Sequence, residues 1–284
     1  MITLDQSIQD AVQHQCLPPG IQSLLAEFLS GAGLLAGVLK FEGLLTLQIR
    51  GDGELPLIMA EATHQRQLRG IIKFAKDASD QTLYKPFVDG KTLRELVGNG
   101  VLTLTIDPEK GSRYQGVVPL EGDSIADCLS HYFSQSEQLP TRLWLFSDGA
   151  MAGGFFMQSL PASSASKKSS DSDLNPGQED WHTLVTLANT LTSQESLELS
   201  HPEQLHRLFH EFQLHIAGNL PVQFACRCSQ ERSENALVAL GKQDALMLLE
   251  EKGHIAIDCD FCGRSYQLVR SDLDRVFDLA TLLH

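Results

Sequence analysis

Basic residues are in short supply. The 284-residue chain carries 22 Lys and Arg against 36 Asp and Glu, for a formal charge of −14. Such a surface repels phosphate backbones and anionic lipid headgroups, so neither nucleic acid nor membrane partners are expected. A secretory leader is lacking as well: the N-terminus is polar and acidic rather than basic and then apolar, which points to a cytoplasmic protein. Long apolar runs are rare. Residues 21–41 approach membrane length, but Glu27 and several glycines interrupt them, so the run reads as a buried core helix. There is no Gly-x-Ser-x-Gly elbow, no His-Glu-x-x-His, no Walker sequence and no convincing pair of carboxylates. No residue is therefore assigned a catalytic role, and the chain is not expected to be an enzyme. Cysteine is also scarce, six in all. Four of the six are clustered, which fits a metal or redox site in a reducing compartment better than a secreted disulfide framework.

Those four are the strongest feature present. Cys226-Arg-Cys228 is followed, after thirty residues, by Cys259-Asp-Phe-Cys262. Two close pairs of soft ligands make a tetrahedral thiolate cage that suits zinc. The gap between them is long enough for a helix and a hairpin to bring the second pair back to the first. The module has little core of its own, so metal binding should supply much of its folding energy. Four thiolates leave no open coordination position, so the site is not a catalytic zinc. The same sulfurs are candidate oxidation targets, since near neighbours can close on one another and expel the metal. A purely structural site remains open on the spacing alone. Cys16 and Cys128 read as small hydrophobes on helices. His206 and His210 stand four apart on a helix, with no third ligand at suitable spacing.

With 42% apolar residues the chain can bury a large core. The apolar periods predict a helix over 2–16 and an apolar helix over 21–40, with Gly31, Gly33 and Gly37 permitting close approach. Strands follow at 45–49, 55–60, 67–74, 101–106, 114–119, 143–146 and 153–160, with helices at 91–97 and 123–134. This is an α+β arrangement: a mostly antiparallel sheet with helices packed on it. Residues 161–180 are Ser-rich and read as flexible. Two short helices, 181–191 and 203–212, are too short to stand alone and must lean on a neighbour. A helix over 235–249, a hairpin from 255–257 and 266–269, and a helix over 271–283 complete the metal module. The expected division is an N-terminal α+β core domain, 1–161, a flexible Ser-rich segment and metastable helical linker, 162–220, and a zinc-binding redox-switch domain, 221–284.

The sequence resembles the 33 kDa heat-shock proteins (Hsp33), redox-regulated bacterial holdase chaperones. The likeness rests on Cys226-Arg-Cys-Ser229 and Cys259-Asp-Phe-Cys-Gly263 with Tyr266. It extends through Leu39–Gly43, Gln48–Gly53, Leu96–Gly100, Tyr114–Val118, Leu120–Asp123, Tyr132-Phe133, Ser136–Arg142 and Ala152–Gly154. The resemblance implies one Zn²⁺ per reduced chain, held by Cys226, Cys228, Cys259 and Cys262, and an inactive resting state. It implies disulfides within the Cys226/Cys228 and Cys259/Cys262 pairs on oxidation by peroxide or hypochlorous acid, the distal pair reacting first. Zinc release, linker unfolding and ATP-independent protection of unfolding clients would follow, commonly as a homodimer, with later hand-over to ATP-dependent chaperones. Two departures stand out. The chain starts inside the family's usual N-terminal region, without its first strand and Arg-Gly segment, so a sheet edge is expected to be incomplete or differently covered. The Ser-rich insertion at 162–176 lengthens the linker. The alternative is a constitutive zinc-stabilised protein-binding module without redox control.

Overall fold

The computed structural model describes residues 1–75, 91–136, 139–160 and 176–282. The chain divides into two compact units, Met1–Phe224 and Ala225–His284. The first unit runs β1 (Ile2–Leu4), α1 (Gln6–Val12), α2 (Pro19–Val38), β2 (Gly43–Gly51), β3 (Leu57–Thr63), β4 (Gln67–Lys73), α3 (Leu93–Val97), β5 (Gly100–Pro108) and β6 (Tyr114–Pro119). It continues with α4 (Ile125–Ser136), β7 (Thr141–Ser147), β8 (Ala152–Gln158), α5 (Pro176–Ala188), α6 (Ser193–Glu198), α7 (His201–Phe209) and β9 (Gln223–Phe224).

Two sheets stand where the strand pattern alone implied one. The larger has the order β6-β5-β2-β3-β4-β9, and the smaller β1-β8-β7. Pairing is antiparallel throughout except for β9, which runs parallel to β4 through Gln67↔Gln223 and Leu68↔Phe224. Period-two alternation turns Leu45, Leu47 and Ile49 of β2 wholly inward, with Leu47 opposite Ala60 of β3 and Leu104 of β5. The helix α2 lies against β3 and β4 of one sheet and β7 and β8 of the other. That double contact explains why it is apolar on nearly every side, with Leu25, Phe28, Leu29 and Leu35 buried. Among the described helices it is the one long and apolar enough to cross a bilayer, and its apolar faces are occupied by the two sheets.

The expected helix over 2–16 begins instead as a strand. Ile2 and Leu4 are buried and Thr3 is exposed between them, a period of two, and β1 forms the edge of the smaller sheet beside β8. A Cβ on Gly33 would collide with Ile2 Cδ1, so this glycine lets α2 approach β1. Gly37 has open space around it and plays no such role. The Ser-rich segment falls mostly outside the described residues, and α5 begins at Pro176, ahead of the expected Trp181.

The three short helices after that segment lean on the smaller sheet. Leu191, Leu208 and Phe209 join Phe155 of β8 in a buried cluster edged by Trp144, Leu184, Leu205 and Phe212. The Phe155 and Phe209 rings lie 6.0 Å apart. Capping boxes start α6 at Thr192/Glu195 and α7 at Ser200/Glu203, supplying local order that six- and nine-residue helices lack on their own. Ser196 of α6 is buried directly over Gly153 of β8. Gln204 of α7 ties the turn together, donating to Ser196 O (3.2 Å) and Leu199 O (2.7 Å).

The second unit contains α8 (Gln230–Leu240), α9 (Lys242–Lys252), β10 (Ile255–Asp258), β11 (Ser265–Leu268) and α10 (Arg270–Leu282). One helix was expected over 235–249. Gly241, at φ 98°, breaks it into α8 and α9. Leu237, Ala245, Leu249, Ile255, Leu268, Leu273 and Phe277 form the core. A unit of roughly 60 residues with a core this small is marginal without a staple.

Candidate metal centre

The staple is visible in the cysteines. Cys226 and Cys228 lie on the irregular stretch between β9 and the Ser229 N-cap of α8, whose side chain accepts from Arg232 N. Cys259 and Cys262 sit in the turn joining β10 to β11. There Cys259 N donates to Arg264 O (2.9 Å), Gly263 N donates to Cys259 O (2.8 Å), and Gly263 adopts φ 66°. The hairpin register, Asp258 opposite Ser265, fixes this turn against the small core.

All four Sγ atoms lie within 4.8 Å of one another. Across the pairs, Cys226 lies 3.5 Å from Cys259 and Cys228 lies 3.4 Å from Cys262. With Zn–S bonds of about 2.3 Å, tetrahedral sulfurs stand roughly 3.8 Å apart, so the donor set matches zinc in both chemistry and spacing. Backbone N–H groups of Phe261 and Cys262 point at Cys259 Sγ, and that of Arg264 at Cys262 Sγ. Such donors stabilise the thiolates that a soft divalent metal needs.

The sulfurs differ in acidity. Burial pushes the Cys228 thiol up, but hydrogen bonds with Tyr266 and the neighbouring sulfurs together outweigh it and bring it down to about 7. Burial first, and then its bonds with the other sulfurs, pushes Cys262 up to about 12, and burial also raises Cys259. A single negative charge is thus favoured on the metal-free cluster and further ones are opposed, the situation a divalent cation relieves. Tyr266 Oη lies 3.2 Å from Cys228 Sγ and donates to it. The sequence flagged Tyr266 without a chemical role, because nothing in a linear pattern brings a phenol to a sulfur 38 positions away.

The other candidates do not join this cluster. Among the described residues it is the one group of three or more potential ligands close enough to hold a metal. The rings of His206 and His210 are 5.8 Å apart on the exposed side of α7 and have no third ligand. Cys128 is buried in α4, and burial, with Asp127 beside it, pushes its thiol to about 12, which makes it inert. Cys16 is exposed beyond the end of α1, not packed on a helix as expected.

The family model described as "Hsp33 protein" matches residues 1–269. The 33 kDa chaperonin of Pseudomonas paraeruginosa is 44% identical over 278 residues, covering 98% of this chain and 89% of that protein. The 33 kDa chaperonin of Azotobacter vinelandii is 46% identical over 261 residues, covering 92% and 83%. The crystal structure of the Thermotoga maritima 33 kDa chaperonin superimposes with a TM-score of 0.78 at 22% identity, over 98% of this chain and 92% of that one, which shows the same fold. The chain belongs to the Hsp33 family.

Proposed function

We propose that the protein is an ATP-independent holdase chaperone, kept inactive by zinc on Cys226, Cys228, Cys259 and Cys262 and activated when those cysteines are oxidised. The observation that carries the reading is the four-sulfur group in a unit whose own core is too small to be secure. Family membership, and the chaperonin name of the curated relatives, supply the chaperone half of it. When bound, zinc holds the sulfurs as thiolates and ties the β10–β11 turn to the segment before α8. Closing one pair joins two sulfurs and passes two electrons to peroxide, which leaves as two waters after taking up two protons.

The proposed disulfides are Cys226–Cys228 and Cys259–Cys262, with the distal pair first. Sulfurs of opposite pairs also approach closely in the folded unit, but those contacts span 33 and 34 residues and depend on the fold. Partners on one short segment stay close after the unit melts, because closing a short loop costs less entropy than closing a long one. Segment 162–220 is proposed as the metastable linker between a core domain, 1–161, and the switch domain, 221–284. Support comes from α5 and α7, short helices held by one apolar seam, and from α6, seated by Ser196 over Gly153. Their release would uncover both sides of that seam to unfolding clients in the cytoplasm. A homodimer of the activated form, and hand-over of clients to ATP-dependent chaperones, complete the proposal.

One titration tests it. Peroxide is added at mildly elevated temperature while zinc release, free thiols and light scattering by an aggregating client are followed together. The three should change in step, without nucleotide. Zinc loss with unchanged scattering refutes the chaperone reading, and protection indifferent to peroxide leaves a constitutive zinc-stabilised binding module.

A further inference from the structure

We propose that Tyr266 is a positioning residue for the metal ligands: its phenol holds Cys228 in the ligand set and raises the oxidant dose needed to break it. The inference rests on the zinc reading above and deepens it.

The second pair of cysteines is served by its own turn, through the N–H groups of Phe261, Cys262 and Arg264. Those donors are two or three residues along the chain from the cysteines they serve and come with the turn itself. Cys228 is served differently. Its phenolic donor arrives from β11, where Tyr266 pairs with Ile257 across the hairpin and is only 9% exposed. The next inward position on the same strand, Leu268, is fully buried in the core of the unit. The ring is therefore fixed by packing, and its Oη stands 3.2 Å from Cys228 Sγ. Arg264, exposed at the start of the returning strand, sits close enough to act electrostatically on the same phenol. A cation near the oxygen polarises the O–H and strengthens its bond to the thiolate.

Two consequences follow. The bond crosses from the segment carrying the second pair to the first, so it keeps Cys228 facing Cys262 even when another ligand lets go. It also draws electron density from the sulfur, and a thiolate that donates less is a weaker nucleophile toward peroxide. Partners of this kind change metal affinity by about 10–100-fold when removed.

The test uses the full-length reduced chain with Tyr266→Phe, which keeps the packed ring and deletes only the donor, and Arg264→Gln, which alters an exposed side chain. Metal affinity is measured by competition with a chromophoric chelator, and the site is loaded separately with Co²⁺ to record its thiolate-to-metal charge-transfer band. Tyr266→Phe should weaken affinity by about tenfold or more, and move the band to lower energy as the sulfur recovers donor strength. Arg264→Gln should move both in the same direction by less. Wild-type affinity and an unmoved band in Tyr266→Phe overturn the proposal. If that variant does not fold, the same result in Arg264→Gln overturns it. A wild-type chain that keeps its metal through complete oxidation sinks the redox-switch reading instead. Normal oxidative release from wild type, beside an unaffected Tyr266→Phe, sinks only the role of the tyrosine.

Discussion

A single methyl group at Gly153 should switch the chaperone on without an oxidant. Gly153 lies in β8 between Thr3 of β1 and Phe146 of β7, and α6 crosses directly above it. In Gly153→Ala the new Cβ meets Ser196 Oγ and stands 3.0 Å from Ser196 O. The hydroxyl can rotate away, but the carbonyl is backbone and also accepts from Gln204, which links α6 to α7. The methyl therefore lifts α6 off the sheet and strains its tie to the next helix. Overpacking of this size costs about 1–3 kcal/mol. Because β8 stays folded when α6 lifts away, the cost falls on the docked state alone and multiplies the undocked population by about 5-fold at its low end and over 100-fold at its high end. The assay is hydrogen exchange across 193–209 together with client light scattering, both in reductant with metal retained. Faster exchange in α6 and α7 and partial client protection are expected. Unchanged exchange would show that the contact is not limiting. Faster exchange without protection would break the link between helix release and chaperone action.

Phe209→Ala should act in the same direction and more strongly, since truncating a phenylalanine that is 4% exposed costs about 3–5 kcal/mol; apolar-dye binding in reductant should rise, and silence there would place the client surface elsewhere. Cys259→Ser and Cys262→Ser should each lose metal and raise hydrogen exchange throughout α8 and α9; oxidative activation left intact in both would show that the distal pair is not the sensor. Glu27, on the buried core helix, has its carboxyl raised to about 7 by burial. A carboxyl raised in this way destabilises the fold progressively as pH climbs from its ordinary value of 4.5 to about 7, and by a constant amount above that. Glu27→Gln should therefore flatten the denaturation midpoint over that window and add on the order of 3 kcal/mol at pH 8; a midpoint that keeps its slope would refute the assignment.

The chemistry was more legible in the chain than the topology. Four cysteines in two close pairs have few meanings, and their spacing sufficed to place the sulfurs together. The α+β class followed from alternation in stretches such as Leu45–Ile49. Alternation says which face a residue takes and not which strand lies beside it, so the division into two sheets was invisible. Ile2, Leu4, Ile8 and Val12 satisfy a helical spacing well enough to hide that the first two obey a strand's period. Gly241 was passed over because one glycine inside an apolar pattern is often tolerated, whereas here its positive φ ends one helix and starts another. Tyr266 escaped because its partner is set by the hairpin's return and not by any local motif.

The strand β9 bears on how the molecule would reset. It has two ladder residues, Gln223 and Phe224, and Cys226 follows two positions later. A seam so short is crossed quickly in either direction, since even a whole hairpin forms in about 1–10 μs. Thiol–disulfide exchange takes seconds to hours. Under the proposed switch, recovery after stress would be timed by the supply of reductant and not by refolding at this edge, a memory as long as the proposed disulfides would last.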